Sequence, residues 1–232
     1  MKYIKKIFIF VVIVVILLVS FITYKGYKLY KESISKISIE DKIIEIKNDE
    51  NFVELDNVSK DFSNAIVSIE DHRFYNHFGF DFISFCRAIV SNISDGELGQ
   101  GGSTISQQLA RNMYFTQEKD FSRKIAELFV VYNLEKDYSK DDILELYINT
   151  IYFGDGYYGI KEASNGYFEK EPIELDLYEA SLLAGIPNAP SVYALTNNPD
   201  LAKQRQHHVL DAMVKEGCLT KEQADAVREI EE

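Results

Sequence analysis

The hydrophobic pattern divides the chain into three unequal parts. Residues 7 to 24, IFIFVVIVVILLVSFITY, carry no charge, and only Ser20, Thr23 and the closing Tyr24 interrupt their apolar character. Wound as a helix at 1.5 Å per residue, this run spans about 27 Å, close to the hydrocarbon thickness of a bilayer. It is longer than a signal-peptide core, and no Ala precedes Ala65 to form a small-residue cleavage site, so residues 1–24 read as an uncleaved transmembrane anchor. In residues 25–58 the apolar Ile34, Ile37 and Ile39 are scattered among Ser, Lys and Glu without a sustained helical period, which predicts a stalk. From residue 59 to 232 the pattern is that of one mainly helical domain.

Within that domain Phe62, Ile66 and Ile69 recur at helical spacing. Phe82, Phe85, Cys86, Ile89 and Ile93 do the same behind Asp81, a good N-cap. The stretch 94–103, SDGELGQGGS, holds four glycines and reads as a loop. Helices are predicted from Thr104 to about Tyr114, along the stripe Phe121, Ile125, Leu128, Phe129 and Tyr132, and after the capping box that opens at Ser139. GDGYYG (154–159) predicts a turn. Helices resume near Ile160 and from Asp176 to Ala184, until Pro187 and Pro190 stop them. Pro199 opens another helix, and Thr220 to Gln223 forms a capping box for the last.

Composition narrows the classes. Only 12 glycines and 4 prolines in 232 residues agree with long helices. A formal charge of -12 repels nucleic acid, so no DNA or RNA partner is expected, and an anionic ligand would need a local basic island. Cys86 and Cys218 are far apart and in no metal-ligand spacing; isolated buried thiols are expected rather than a disulfide. Charge does not orient the anchor: Lys2, Lys5 and Lys6 precede it and Lys25, Lys28 and Lys31 follow it.

Three segments could carry chemistry. In IEDHRFYNHFG (69–79) the acids Glu70 and Asp71 close an apolar helix beside Phe74, Tyr75, His77 and Phe78; a carboxylate among aromatics can have the raised pKa of a general base, or be a solvated helix end. The crowded aromatics Phe74, Tyr75, Phe78, Phe80, Phe82 and Phe85 read as core rather than as a lipid-facing patch. In GQGGSTISQQLARN (99–112) glycines run into Ser103 and Thr104 at a helix start, a plausible anion cradle or an ordinary capped loop, with Gln107 and Gln108 able to bond sugar hydroxyls. Between Gly102 and Ala126, Arg111, Lys119, Arg123 and Lys124 outnumber Glu118 and Asp120. Arg123 and Glu127 share a helix face, either as a surface ion pair or as a carboxylate-oriented clamp on pyrophosphate.

Together these segments resemble the peptidoglycan glycosyltransferases, glycosyltransferase family 51, in their monofunctional membrane-anchored form. The resemblance covers roughly residues 53 to 216 through EDHRFYNHFG (70–79), GGSTISQQLARN (101–112), RKIAE (123–127), KDDILELYIN (140–149) and ASLLAGIPNAP (180–190), in order. It implies a lysozyme-like fold of two helical lobes, a head and a membrane-proximal jaw, behind the transmembrane helix. It also implies polymerisation of lipid II onto a growing glycan chain outside the bacterial cell membrane, hence a single-pass protein with a cytoplasmic N-terminus, in contact with membrane lipid and with cell-wall synthesis proteins as expected partners.

By the same resemblance Glu70 is the catalytic base and Glu127 a second catalytic carboxylate. Asp71, Phe74, His77, Gly79, Ser103, Thr104, Gln107, Gln108, Arg111, Asn112, Lys119, Arg123 and Lys124 fall on substrate-binding positions. No cofactor is obligatory, and a divalent cation (Mg or Mn) is an optional aid to the leaving group. Ser106 stands where Thr is usual, Arg111 where Lys is frequent, and Ala126 where some members carry a further cation. A lytic enzyme of lysozyme type and a non-catalytic wall scaffold are the alternative readings.

Overall fold

The computed structural model describes residues 2–87, 102–116 and 120–230, and these are mainly helical, as expected. The only bridge of β type among them pairs Tyr152 with Tyr158 across the glycine turn. One packing group joins the helices Lys60–Glu70, Leu177–Gly185 and Pro199–Lys215, which bury Phe62, Ala65, Ile66, Leu183 and Val209 against one another. A second joins Ile105–Tyr114 to Phe121–Asp137 and Lys140–Ile148 through Ile105, Leu109, Val130, Leu134, Leu146 and Ile148. All belong to one continuous apolar core.

The helix boundaries follow from capping chemistry. Thr104 accepts from the Gln107 amide, Asp120 from Ser122, and Ser139, Asp176 and Thr220 close full capping boxes with Asp142, Glu179 and Gln223. The helix Leu177–Gly185 ends before Pro187 as expected. Pro190, however, opens a four-residue helix, Pro190–Tyr193, because proline at the first turn loses no hydrogen bond.

Two expectations are corrected. Residues 25–58, read from the sequence as a stalk without a sustained helical period, are largely helical. One helix, Lys2–Lys36, carries the apolar span straight on to residue 36, and Ile39–Lys47 follows behind the Ser38 cap. Tyr30, Ile39, Ile43 and Val58 are core residues. Tyr27 and Tyr30 pack against Phe129 with ring centroids 5.3 and 5.5 Å apart, and Asn133 donates to the Tyr30 hydroxyl at 3.1 Å. Gly26 permits this approach: a Cβ there would lie 2.6 Å from the Ile125 side chain. On the first helix the face against Phe129 uses Gly26, Tyr27 and Tyr30, which carry no aliphatic period. Likewise, of the aromatic cluster only Phe74 is core. Tyr75, Phe78, Phe80, Phe82 and Phe85 are exposed, together with Ile83. They lie along a loop and the helical turns at 82–87, whose outer side is covered by no helix among the described residues.

Cys86 and Cys218 are free, as expected, but neither is buried.

Candidate active site

Glu70 is the last residue of its helix. Asp71 leaves the helical region at φ -156°, ψ 70°, so the Glu70 side chain projects from a helix C-terminus. Its Oε2 accepts from the Gln108 amide at 2.7 Å, while Oε1 has no hydrogen-bond partner among the described residues and the Arg205 guanidinium stands 4.0 Å away. Burial raises the Glu70 pKa above the ordinary carboxylate value. The Gln108 hydrogen bond and the charges of Arg205 and Arg111 oppose the shift, and Asp71 adds to it. The helix carbonyls behind Glu70 act in the same direction as burial. Gln108 is itself oriented: the buried Tyr147 hydroxyl donates to its carbonyl oxygen at 3.2 Å, which leaves the amide nitrogen to face Glu70.

The second centre lies on the helix Phe121–Asp137. Glu127 is 1% exposed, with one oxygen against Arg123 and the other 3.1 Å from the Lys124 ammonium. Lys124 also donates to the Ser103 hydroxyl at 3.0 Å. Its pKa is lowered by desolvation, against which Glu127 holds the charge. Arg111 influences both Glu70 and Lys124, so it links the two centres electrostatically. An isolated pair of this spacing on a solvated helix contributes about 0.3–0.5 kcal/mol. Here the carboxylate is out of water, so the pair holds guanidinium and ammonium in fixed positions at the price of solvation.

Several residues expected at substrate contacts are buried. Asp71 accepts from the buried His77 ring at 3.0 Å and from the Ile105 amide at 3.0 Å, tying the loop after Glu70 to the next helix. Phe74 is fully buried beneath the Lys140 ammonium, which sits 4.5 Å from its ring centroid. Gly79 is buried at φ +69°, and its carbonyl accepts from the Thr104 hydroxyl at 2.7 Å.

A Cβ at Gly79 would meet Val131 Cγ1 at 2.2 Å. Gly79→Ala should therefore cost about 2–3 kcal/mol through strain and overpacking, read as a fall in thermal midpoint.

Gln107 is 1% exposed, with neither amide atom bonded among the described residues, and Asn112 is exposed. Lys119 and residues 94–101 of the glycine loop lie outside the described residues. Tyr147 and Arg205 were missed. Tyr147 sits in the fourth sequence block, in a helix whose pattern announces only core, and Arg205 lies in no block at all. A groove of about 900 Å³ involving Phe52, Ser68, His72, Tyr75 and Glu145 includes neither Glu70 nor Glu127. No group of three metal-binding side chains occurs among the described residues, and both Glu127 oxygens already face cations, so the donor set shows no cage for a divalent cation.

A desolvated carboxylate and a cation-held one, on helices behind a long apolar segment, are groups of the kind that proton transfer beside an anionic group requires. Residues 39–214 match the Transgly family, Transglycosylase. The chain belongs to this family, the peptidoglycan glycosyltransferases. A candidate transglycosylase of Cupriavidus necator is 42% identical over 80% of this chain and 80% of its own. Penicillin-binding protein 1A of Neisseria flavescens is 43% identical over 75% of this chain and 22% of its own length, and that of Neisseria lactamica is 42% identical over 84% and 25%. The chain thus spans about a quarter of those penicillin-binding proteins. The crystal structure of penicillin-binding protein 1A from Haemophilus influenzae aligns over 78% of this chain and 17% of its own, at a TM-score of 0.44 and 20% identity.

Proposed function

We propose that the chain polymerises lipid II into glycan strands at the outer face of the cytoplasmic membrane, releasing undecaprenyl pyrophosphate. One observation carries this reading: Glu70 presents a buried oxygen without a hydrogen-bond partner among the described residues, in surroundings that raise its proton affinity. Such an oxygen can take the proton of the acceptor sugar's 4-hydroxyl. As that O–H bond breaks, the hydroxyl oxygen forms a bond to the donor's anomeric carbon from the face opposite the leaving group. The C–O bond to pyrophosphate breaks, and configuration inverts. Arg123 and Lys124, held by Glu127, meet the charge that grows on the departing pyrophosphate.

The helix Lys2–Lys36 suits a single-pass anchor, and the exposed Phe78, Phe80, Phe82 and Phe85 suit contact with lipid. On this reading, with lipid II used at the outer face, the catalytic domain lies outside and the N-terminus in the cytoplasm.

The test is polymerisation of fluorescent lipid II by the full chain, separated as a glycan ladder on a gel. A ladder supports the reading; none from folded protein, with or without added Mg or Mn, overturns it. Removal of residues 1–24 should slow polymerisation of vesicle-embedded lipid II by at least about ten-fold, because the local substrate concentration is lost. The rate on detergent-dispersed substrate should change much less. Equal rates in vesicles would show that the anchor does not concentrate substrate.

A further inference from the structure

A further carboxylate with a buried side chain lies outside the two centres. Glu135, on the helix Phe121–Asp137, has a side chain only 3% exposed. Its Oε1 accepts from the Ser106 hydroxyl at 2.5 Å and from the Lys140 ammonium at 2.8 Å. Its methylene chain closes over Gly79, where an added Cβ would come within 3.0 Å of Glu135 Cγ. Lys140, at the start of the next helix, in turn covers the Phe74 ring. One side chain therefore touches, directly or through Lys140, both ends of the loop that follows Glu70 and the helix that carries Gln108.

Burying this charge is costly unless the geometry it fixes matters or its partners compensate fully. Ser106 is fully buried two residues before Gln108, whose amide meets Glu70. Lys140 opens the helix that carries Tyr147, which orients the same Gln108. Both partners of Glu135 thus lie on the elements that aim one amide at the base.

We propose that Glu135 is a positioning residue for the glycosyl transfer: through Ser106 and Lys140 it fixes the register of Gln108 against Glu70. This rests on the transferase reading above. Glu70 is faced by Gln108 and Arg111 from the helix Ile105–Tyr114, by Arg205 from the helix Pro199–Lys215, by Tyr147 from the helix Lys140–Ile148 and by its neighbour Asp71. Among these only the Gln108 contact depends on Ser106 and Lys140 together. Loss of that hydrogen bond removes an interaction that favours ionised Glu70, so its proton affinity rises further.

The experiment compares wild type, Glu135→Gln and Ser106→Ala as full-length proteins in detergent. Lipid II polymerisation is followed across pH, alongside circular dichroism and thermal denaturation. For Glu135→Gln, kcat should fall about ten- to a hundred-fold with KM within about two-fold, as expected for a misplaced catalytic contact. The acidic limb of the pH–rate profile should move upward by at least about half a unit. Ser106→Ala, which keeps the Glu135–Lys140 pair, should move the limb the same way.

A folded Glu135→Gln protein with unchanged kcat and limb overturns the proposal. So does an activity loss that only tracks the folded fraction, with the limb unmoved. Titration of ¹³C-labelled glutamate carboxyls, with Glu70 assigned by Glu70→Gln, decides the case without turnover: an upward shift in Glu135→Gln supports it and no shift overturns it. Absence of ladders from wild type would defeat the transferase reading alone. If Glu135→Gln does not fold, Ser106→Ala carries the test under the same outcomes.

Discussion

Glu70→Gln is expected to lower polymerisation at least about a thousand-fold, the upper part of the range for loss of a general base. The amide is isosteric, and its oxygen can still accept from Gln108 at the position where Glu70 Oε2 does so at 2.7 Å. The fold should be retained. The variant loses only the capacity to take a proton from a sugar hydroxyl.

Stability should respond in the opposite sense. The folded protein raises the Glu70 pKa, so this group favours the fold while protonated. That contribution is complete below the ordinary carboxylate pKa and is lost as pH rises through the raised value. At pH 5 and pH 8 the variant's thermal midpoint, relative to wild type, should therefore increase toward the alkaline condition. Glycan ladders and melting curves at both pH values check the two halves. A large drop in melting temperature at both would mean that Glu70 supports the fold and that the activity loss is indirect.

Arg123→Ala should reduce polymerisation by about a hundred- to a thousand-fold, the typical cost of removing one preorganised donor from developing charge. It leaves the 1%-exposed Glu127 with Lys124 as its remaining close cation among the contacts described, so the pyrophosphate position loses both a charge and a fixed geometry. Arg123→Lys should recover only part of the rate, because an ammonium cannot present the planar fork of a guanidinium. The same variant separates biosynthesis from lysis. Hydrolysis of an existing strand has no pyrophosphate leaving group, so release of soluble sugar fragments that persists in Arg123→Ala while ladders disappear would assign a lytic activity.

Much of the fold was legible because its determinants are local. Ser139, Asp176 and Thr220 announce their helices by pairing with a residue three positions on, and Thr104 and Asp120 do so by accepting a nearby amide. The candidate site was legible as segments: Glu70, Gln108, Arg123, Lys124 and Glu127 all fall in the sequence blocks and come together in two linked centres. What escaped depends on long-range packing. Arg205 approaches Glu70 across 135 positions on a helix whose pattern signals only burial. Asp71 looks like a helix-end acid in sequence, but it turns inward because the His77 ring and the Ile105 amide supply its partners. The exposed aromatics run against the composition argument that crowded aromatics form core.

The docking of Tyr27 and Tyr30 on Phe129, with Gly26 against Ile125, joins the anchor to the helix that holds Arg123, Lys124 and Glu127. Under the function proposed above, with that helix in a bilayer, the candidate site would stand at a fixed altitude, like a die mounted on a post. A strand made there would have to move past a stationary mouth, because the site could not follow it outward.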